Sequence, residues 1–275
     1  MRHIDIRFID DLLRGELSYF LAQVQNNRKA LSLEIRDGYI NIYYKGGNLL
    51  KITQKRAGYN FHFDARYCKH ADGDAHFSVL NRLPRDDRAA YQAQFPLMMQ
   101  EMDRWFAEHP KPERDYQHQL LVNNPEIVDI EYQVGRRMRL DMLLVSNNKL
   151  LVVENKYGTG AIGGSAGLSK HYADICSVLQ DPAWLEELLD SVCHISQAKF
   201  ALGLRDTVIQ RADIRTAEVL FLLANYNPNS QSLHNEMQLL NRTVPASLLL
   251  MTTDHAAIHL DQAKPLFPAA NTKQI

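Results

Sequence analysis

The chain has little of several features that mark particular classes of protein. Its 275 residues include only three cysteines, at positions 68, 176 and 193, which are too few and too scattered for a disulfide framework or a zinc ribbon. It has no apolar run near the roughly 18 residues that a membrane-spanning helix requires. Its first residues carry acids where a secretory signal would be apolar. We therefore expect a cytoplasmic protein that does not bind membranes.

An excess of charge of either sign is also missing. The 31 lysines and arginines and the 32 aspartates and glutamates leave a net charge of −1, so the whole molecule has no general attraction for nucleic acid. Hydrophobic residues make up 45% of the chain and charged residues 23%. These values exclude a disordered chain, collagen or a coiled coil as a description of the whole protein. The length suits one large domain or two small ones.

The hydrophobic spacing predicts two domains that meet near residue 110. A helix is predicted over 4–25, and a four-stranded antiparallel meander over 31–67, where the period changes from three or four residues to two. A second helix over 88–108 precedes the prolines of His109-Pro-Lys-Pro112, which interrupt the chain. The prediction is therefore an N-terminal helix-plus-meander module over 1–110 and a second domain over 111–275.

The predicted meander combines basic and aromatic residues. Residues 28–69 contain nine basic and three acidic residues, with seven aromatic residues interleaved. Such a mixture can follow phosphates and stack on bases, and it makes Lys51, Lys55 and Arg56 candidate nucleic-acid ligands. The alternative, which we favour for the meander taken alone, is that the aromatic residues pack in a half-buried sheet and the lysines face solvent.

The second domain contains a predicted β-hairpin that brings two acids together. Alternating and apolar residues predict strands over 139–145 and 150–156, joined through Asn147-Asn148. Asparagine tolerates the positive φ that a two-residue type I′ turn requires, and such a turn fixes the register of the hairpin. Asp141 then lies directly opposite Glu154, with Cβ atoms roughly 4.5–5.5 Å apart.

Asp141 and Glu154 form a charge arrangement that a purely structural hairpin would avoid. Two like charges this close repel, and a divalent cation held between them reverses the repulsion. Lys156 lies two residues beyond Glu154 and therefore shares its face of the strand. The apolar stretches beside both acids indicate a central hairpin covered on both faces. A hairpin whose acids form exposed ion pairs with Arg139 and Lys156 is the alternative interpretation.

The order of these elements resembles the PD-(D/E)XK nuclease superfamily. Arg139-Leu-Asp141 stands where that family has Pro-Asp, Glu154-Asn-Lys156 stands for (D/E)XK, and Glu113 stands for the acid of the preceding helix. The similarity runs from Glu113 to Lys156, and more loosely to Leu260; the missing proline is a departure. The resemblance implies an α/β fold with a restriction-endonuclease-like mixed central sheet flanked by helices, in the order α-β-β-β-α-β, preceded here by the α+β meander module.

The resemblance also implies metal-dependent hydrolysis of phosphodiester bonds in nucleic acid, with DNA as the expected substrate. Asp141, Glu154 and the backbone carbonyl of Asn155 would hold Mg²⁺ or Mn²⁺. Lys156 would orient a water molecule or stabilise charge on phosphorus. Glu113 would bind a second metal ion through water or anchor Lys156. A homodimer is a possible assembly.

The segment after Lys156 is rich in glycine. Five glycines fall between residues 158 and 167, before a helix that begins near Ser169. Their backbone donors could cradle a phosphate, or the segment could be a connection that orders on substrate binding. His171 could transfer a proton or contact phosphate, with a plain surface position as the alternative. The candidate nucleic-acid ligands in this domain are Arg136, Arg137, Lys170 and His171.

Two other functions remain open at this point. One is a binding module for nucleic acid or protein that keeps the fold without turnover. The other is a hydrolase of small phosphoesters, which the near-neutral net charge mildly favours because a broad phosphate track usually needs excess lysine and arginine. Further along the chain, predicted helices over 184–204 and 233–240 alternate with buried strands over 218–224 and 247–253, which suggests parallel strands joined by a crossover.

Overall fold

The fold is a mixed α/β arrangement with one four-stranded and one six-stranded sheet. It is seen in a computed structural model that describes residues 2–135, 138–158, 162–164, 167–243, 248–252 and 256–265. The chain forms two compact units, one of residues up to His118 together with His194–Val208, the other of Gln119–Cys193 and Ile209 onward. The sequence predicted a single division near residue 110, whereas the contacts divide the chain at 118 and join 194–208 to the first unit.

The first unit contains the predicted antiparallel meander. Its four strands pair in chain order, and each neighbouring pair is antiparallel. The elements are α1 (Ile6–Leu13), α2 (Ser18–Asn26), β1 (Leu31–Ile35), β2 (Tyr39–Tyr44), β3 (Gly47–Lys55), β4 (Gly58–His62), α3 (Phe77–Leu80) and α4 (Arg88–Glu108), followed by α5 (Pro112–Asn123), which continues into the second unit.

The single helix predicted over 4–25 is wrong, because the structure has two helices separated by a turn at Gly15. The Gly15 N–H donates to the carbonyls of Asp10 and Asp11, at 3.2 and 3.1 Å. A Cβ atom at Gly15 would lie 2.6 Å from the Cα of Asp11, so the turn requires glycine at this position. The apolar spacing continues across the turn, and this is why the sequence pattern did not reveal the break.

One face of the meander forms the core of the first unit. The Phe61 ring lies 5.6 Å from that of Phe20, and the Tyr59 ring lies 4.9 Å from that of Phe8, measured between centroids. These contacts join β4 to α2 and α1. For Tyr59 and Phe61, the packing interpretation of the aromatic residues is therefore confirmed.

The second unit is built on the six-stranded sheet. Its strands lie in the order β10-β9-β8-β7-β6-β5, with β7, β8 and β9 parallel and the remaining pairs antiparallel. The predicted alternation of helices and parallel strands is confirmed. The elements are β5 (Ile127–Val134), β6 (Met138–Ser146), β7 (Lys149–Tyr157), α6 (Leu168–Leu179), α7 (Pro182–Ala201), β8 (Thr216–Ala224), α8 (Gln231–Thr243), β9 (Leu248–Thr252) and β10 (Lys264–Pro265).

The hairpin of β6 and β7 has the predicted register. Asn147 and Asn148 both have positive φ, at 52° and 61°, and Ser146 pairs with Lys149. The pairing continues as far as Met142 opposite Val153. Strand β7 is buried from residue 150 to residue 156, which is the burial expected of a central strand.

The helices show no sign of a membrane anchor in the part of the chain that the structure covers. None of them is both long enough and apolar enough to cross a bilayer. The cytoplasmic location stays a prediction.

Candidate active site

The centre of the candidate site is the acid pair, Asp141 on β6 and Glu154 on β7. Regular pairing of the two strands ends one residue before them, at Met142 and Val153. Beyond that point the Asn155 N–H donates a hydrogen bond to Oδ2 of Asp141, at 3.0 Å. The Asp141 side chain therefore takes the place of a backbone partner and rests against β7, beside the buried Glu154.

The acid pair carries more negative charge than its surroundings neutralise. Burial, followed by the charge of Glu154, raises the pKa of Asp141 to about 7. The hydrogen bond from Asn155 and the charge of Lys156 act in the opposite direction and have smaller effects. A cation at this position would stabilise both ionised carboxylates.

Lys156 forms a buried ion pair with Glu154. Its Nζ lies 2.9 Å from Oε1 of Glu154, and the two side chains are only 7% and 3% exposed. Arg139, the other cation of the surface-ion-pair alternative, is exposed and contacts Glu131 on β5 at 3.2 Å. The interpretation of Glu154 and Lys156 as members of an exposed ion pair is therefore wrong, because the hairpin end is covered.

His171 approaches the same carboxylate from α6. Its Nδ1 lies 3.0 Å from Oε1 of Glu154. A carboxylate can only accept, so Nδ1 carries the proton and donates it. Burial, followed by the charge of Lys156, lowers the pKa of His171. The sequence identified His171 as a candidate phosphate ligand and did not foresee this contact, because it joins elements that are distant in the chain.

Asn155 lies between the two charged residues of β7 and points to the other face of the strand, as the two-residue period requires. It is 2% exposed. Neither polar atom of its side-chain amide has a hydrogen-bond partner among the residues that the structure describes. Its backbone carbonyl was the predicted metal ligand, and that role stays a prediction.

Glu236 on α8 is a contributor that sequence reasoning missed. Its Oε2 accepts hydrogen bonds from the backbone N–H and the Oγ of Ser169, at 2.8 and 2.6 Å. A Cβ atom at Gly167 would lie 2.7 Å from Oε1 of Glu236 and 2.9 Å from the backbone carbonyl oxygen of Gly164, and the backbone contact favours glycine there. Glu236 therefore holds the start of α6, and the Ser169 amide that could have bound a phosphate already has an anionic partner.

The roles predicted for the other candidate residues of this domain stay predictions. Glu113 is exposed in the first turn of α5 and belongs to the first unit, while the acid pair belongs to the second, so its catalytic role stays a prediction. Lys170 is exposed and forms an ion pair with Asp174 one turn further along α6. Arg136 and Arg137 lie outside the described residues.

The donors at the acid pair fit a small, hard cation. The described part of the chain contains no group of three or more histidine, cysteine, aspartate or glutamate side chains arranged to hold a metal ion. Mg²⁺, however, is commonly held by one or two carboxylates and completes its octahedron with water. The buried carboxylate of Glu154 and the half-buried carboxylate of Asp141 meet that requirement.

Comparison of the chain with family models, with curated proteins and with solved structures gave no match.

Proposed function

We propose that this protein is a metal-dependent phosphodiesterase that hydrolyses nucleic acid, with DNA as the expected substrate. The observation that carries the proposal is the acid pair, where the half-buried Asp141 interacts with the buried Glu154 and Lys156 lies 2.9 Å from Glu154. Placing two carboxylates together out of water costs stability, and a purely structural hairpin gains nothing from it. In metal-assisted hydrolysis such carboxylates hold the metal ion.

The topology of the second unit supports a restriction-endonuclease-like fold as part of the proposal. From α5 the chain runs through the antiparallel strands β5, β6 and β7, then through helices to the parallel strand β8. This is the α-β-β-β-α-β order that the sequence resemblance implies. The acids and the lysine fall on the second and third strands, where the PD-(D/E)XK pattern has them.

Asp141, Glu154 and the carbonyl of Asn155 would hold the metal ion. A bound Mg²⁺ or Mn²⁺ would supply Lewis-acid stabilisation of the phosphate charge and lower the pKa of a water molecule. The protein itself contributes the positive charge of Lys156, which would stabilise negative charge that develops on the phosphate oxygens. His171 would hold the Glu154 carboxylate in place through its Nδ1–H.

A cleavage assay with paired lysine variants tests this proposal. Labelled single-stranded and double-stranded DNA and RNA are incubated with Mg²⁺, Mn²⁺ or EDTA. Lys156→Met should abolish metal-dependent cleavage. Lys149→Met is the matched control, because Lys149 lies on the same strand and forms a similar ion pair with Glu218 at 2.8 Å, away from the acid pair. The control should cleave at the wild-type rate.

Other outcomes identify the alternatives. Binding of nucleic acid without cleavage under any metal condition would indicate a silent binding module. Hydrolysis of a small phosphodiester such as bis-p-nitrophenyl phosphate, with no cleavage of polymers, would indicate a small-phosphoester hydrolase. Equal cleavage by wild type and Lys156→Met would overturn the assignment of the site.

A further inference from the structure

The structure divides the basic residues of the meander into paired and unpaired groups. Lys45 contacts Asp103 at 2.7 Å, Arg66 contacts Asp64 at 2.9 Å, and Arg36 is buried. Lys51 and Lys55 have no acidic partner among the described residues. Lys51 instead lies over the ring of Tyr39, with Nζ 3.9 Å from the centroid. Unpaired cations in a sheet are available to an anion from outside the chain.

Lys51 and Lys55 line one hollow, here called the β3–β4 hollow, on the face of the meander opposite to its core. Strand register places Lys51 opposite His62 and Thr53 opposite Asn60, so these side chains share a face. The hollow has a volume of about 280 Å³. It is lined by Lys51, Thr53, Lys55, Asn60, Phe61, His62 and Arg85, and none of these is acidic.

Arg85 reaches this hollow from the segment between α3 and α4. Its backbone carbonyl accepts a hydrogen bond from the Phe61 N–H at 2.6 Å, which fixes the segment along the outer edge of β4. Arg85 has no acidic partner in the described structure. The guanidinium therefore adds a third unpaired cation to those of Lys51 and Lys55, although more than twenty residues of sequence separate it from β4.

Arg56 does not belong to this group, although the sequence put it together with Lys51 and Lys55. It lines a second hollow of about 500 Å³ with Asp5, Arg7, Gln54 and Lys55, so Lys55 lines both hollows. Asp5 brings a carboxylate to that hollow, where it accepts a hydrogen bond from Gln54 Nε2 at 2.8 Å. The two hollows thus differ in charge, since the lining of the β3–β4 hollow includes Lys51, Lys55 and Arg85 and no acid, whereas Asp5 lines the other.

We propose that the β3–β4 hollow binds the phosphate backbone of a nucleic acid through Lys51, Lys55 and Arg85. Lys51 and Lys55 are separated by ~13 Å of strand, enough to contact more than one phosphate of the same strand. Thr53 and Asn60, between the cations, supply neutral hydrogen-bond donors of the kind that bind phosphate oxygens. This inference rests on the proposed function in one respect: the bound polymer is taken to be the substrate of the acid pair.

Binding is measured by fluorescence anisotropy with labelled single-stranded and duplex DNA over a series of salt concentrations, in EDTA so that no cleavage occurs. The triple variant Lys51→Gln/Lys55→Gln/Arg85→Gln should bind roughly tenfold or more weakly than wild type. For duplex DNA, the slope of log K against log salt concentration should be smaller in magnitude than that of wild type by about two to three. Arg56→Gln is the control, because it removes an exposed cation that neighbours Lys55 in sequence, and it should bind like wild type.

Three results would overturn the proposal. The first is a salt slope in the triple variant equal to that of wild type, and the second is an equal loss of DNA affinity in Arg56→Gln. The third is a triple variant that binds DNA like wild type but no longer binds phosphatidylserine vesicles, which would identify the hollow as a lipid-binding surface. Because the residues are at the surface, a melting temperature equal to that of wild type shows that the triple variant is folded. The nuclease proposal is decided separately, by the cleavage assay with Lys156→Met. If DNA binding depends on this hollow but the wild-type protein shows no metal-dependent cleavage, the hollow is still a nucleic-acid site and the nuclease proposal is rejected.

Discussion

Oδ2 of Asp141 accepts a hydrogen bond from the backbone N–H of Asn155, at 3.0 Å, and so lies beside the residue that separates Glu154 from Lys156. This contact ties β6 to β7 at the point where the regular pairing between these two strands stops. It positions the Asp141 carboxylate against Glu154, which is buried. The arrangement costs stability unless something positive is bound there.

Removing the charge of Asp141 is expected to stabilise the metal-free protein. Burial and Glu154 raise its pKa to about 7 from an ordinary value near 3.8, so folding stability falls as the pH rises through that interval. At pH 8 Asp141 is ionised, so the full destabilisation by its carboxylate charge is present. Asp141→Asn should raise the free energy of unfolding by roughly 1–3 kcal/mol in EDTA, measured by urea denaturation. The amide oxygen can still accept the Asn155 N–H.

The matched control for this change is Asp190→Asn, which alters an exposed aspartate of α7 in the second unit. Its effect should stay within about 0.5 kcal/mol. A loss of stability in Asp141→Asn would contradict the view that the acid pair is electrostatically strained.

Divalent metal should stabilise the wild-type protein independently of any cleavage. A ligand that binds only the folded state raises the free energy of unfolding by about 1.4 kcal/mol when its concentration is about tenfold above its Kd. We expect millimolar Mn²⁺ to raise the melting temperature of wild type by a few degrees. The shift should disappear in Asp141→Asn and persist in Glu218→Gln, whose carboxylate pairs with Lys149. Equal shifts in both variants would show that Mn²⁺ binds elsewhere.

Acid should destabilise the first unit through Glu101, which is fully buried on α4. Burial raises the pKa of Glu101, but hydrogen bonds to His76 and His70, at 2.8 and 2.9 Å, together outweigh it and leave the pKa below its ordinary value. A lowered carboxyl pKa stabilises the fold above the pKa of the unfolded chain, near 4.5, and this stabilisation is lost as the pH falls through the folded pKa.

Glu101→Gln tests that linkage. It should lower the free energy of unfolding by about 1–3 kcal/mol at pH 7, and the difference from wild type should shrink as the pH falls below the unfolded pKa near 4.5, measured by urea denaturation at each pH. Glu16→Gln, which changes an exposed glutamate 3.7 Å from Arg88, serves as the control and should have little effect. A difference for Glu101→Gln that does not depend on pH would exclude the charge of this carboxylate as the cause.

Glu236→Gln is expected to loosen the start of α6. The variant weakens the acceptor of two hydrogen bonds from Ser169, and charged hydrogen bonds at a helix N-terminus contribute on the order of 1 kcal/mol. Amide hydrogen exchange over residues 167–179 should become several-fold faster. Because α6 carries His171, the metal-dependent cleavage rate should also fall. Glu186→Gln, which breaks an exposed pair with Arg211, should change neither quantity.

The hairpin that holds the acid pair could be predicted because its determinants are local. Two asparagines in series favour the positive φ values of a type I′ turn, and the two-residue period of a strand then sets which side chains oppose each other. The near-continuous apolar sequence of β7 likewise indicated its burial. These inferences required no knowledge of the rest of the chain.

The sequence pattern was least informative where a distant contact or a close approach decides the structure. The turn after α1 requires glycine at position 15 because a Cβ atom there would collide with Asp11, although the apolar spacing continues through it. Arg85 reaches the hollow of Lys51 and Lys55 through a backbone hydrogen bond at the edge of β4, whereas Arg56 lines a different hollow with Lys55. Hydrophobic periodicity carries no signal for either event.

By itself, then, the sequence determined the strand order of the meander and the register of the β6–β7 hairpin as far as Met142 opposite Val153, since turn chemistry and side-chain alternation act over a few residues. Tertiary structure alone decided that Lys156 and His171 share one oxygen of Glu154, and that Glu236 holds the start of α6. The physical reason is that the partners of a buried charge are chosen by packing of elements far apart in the chain, where burial makes each unmade contact costly.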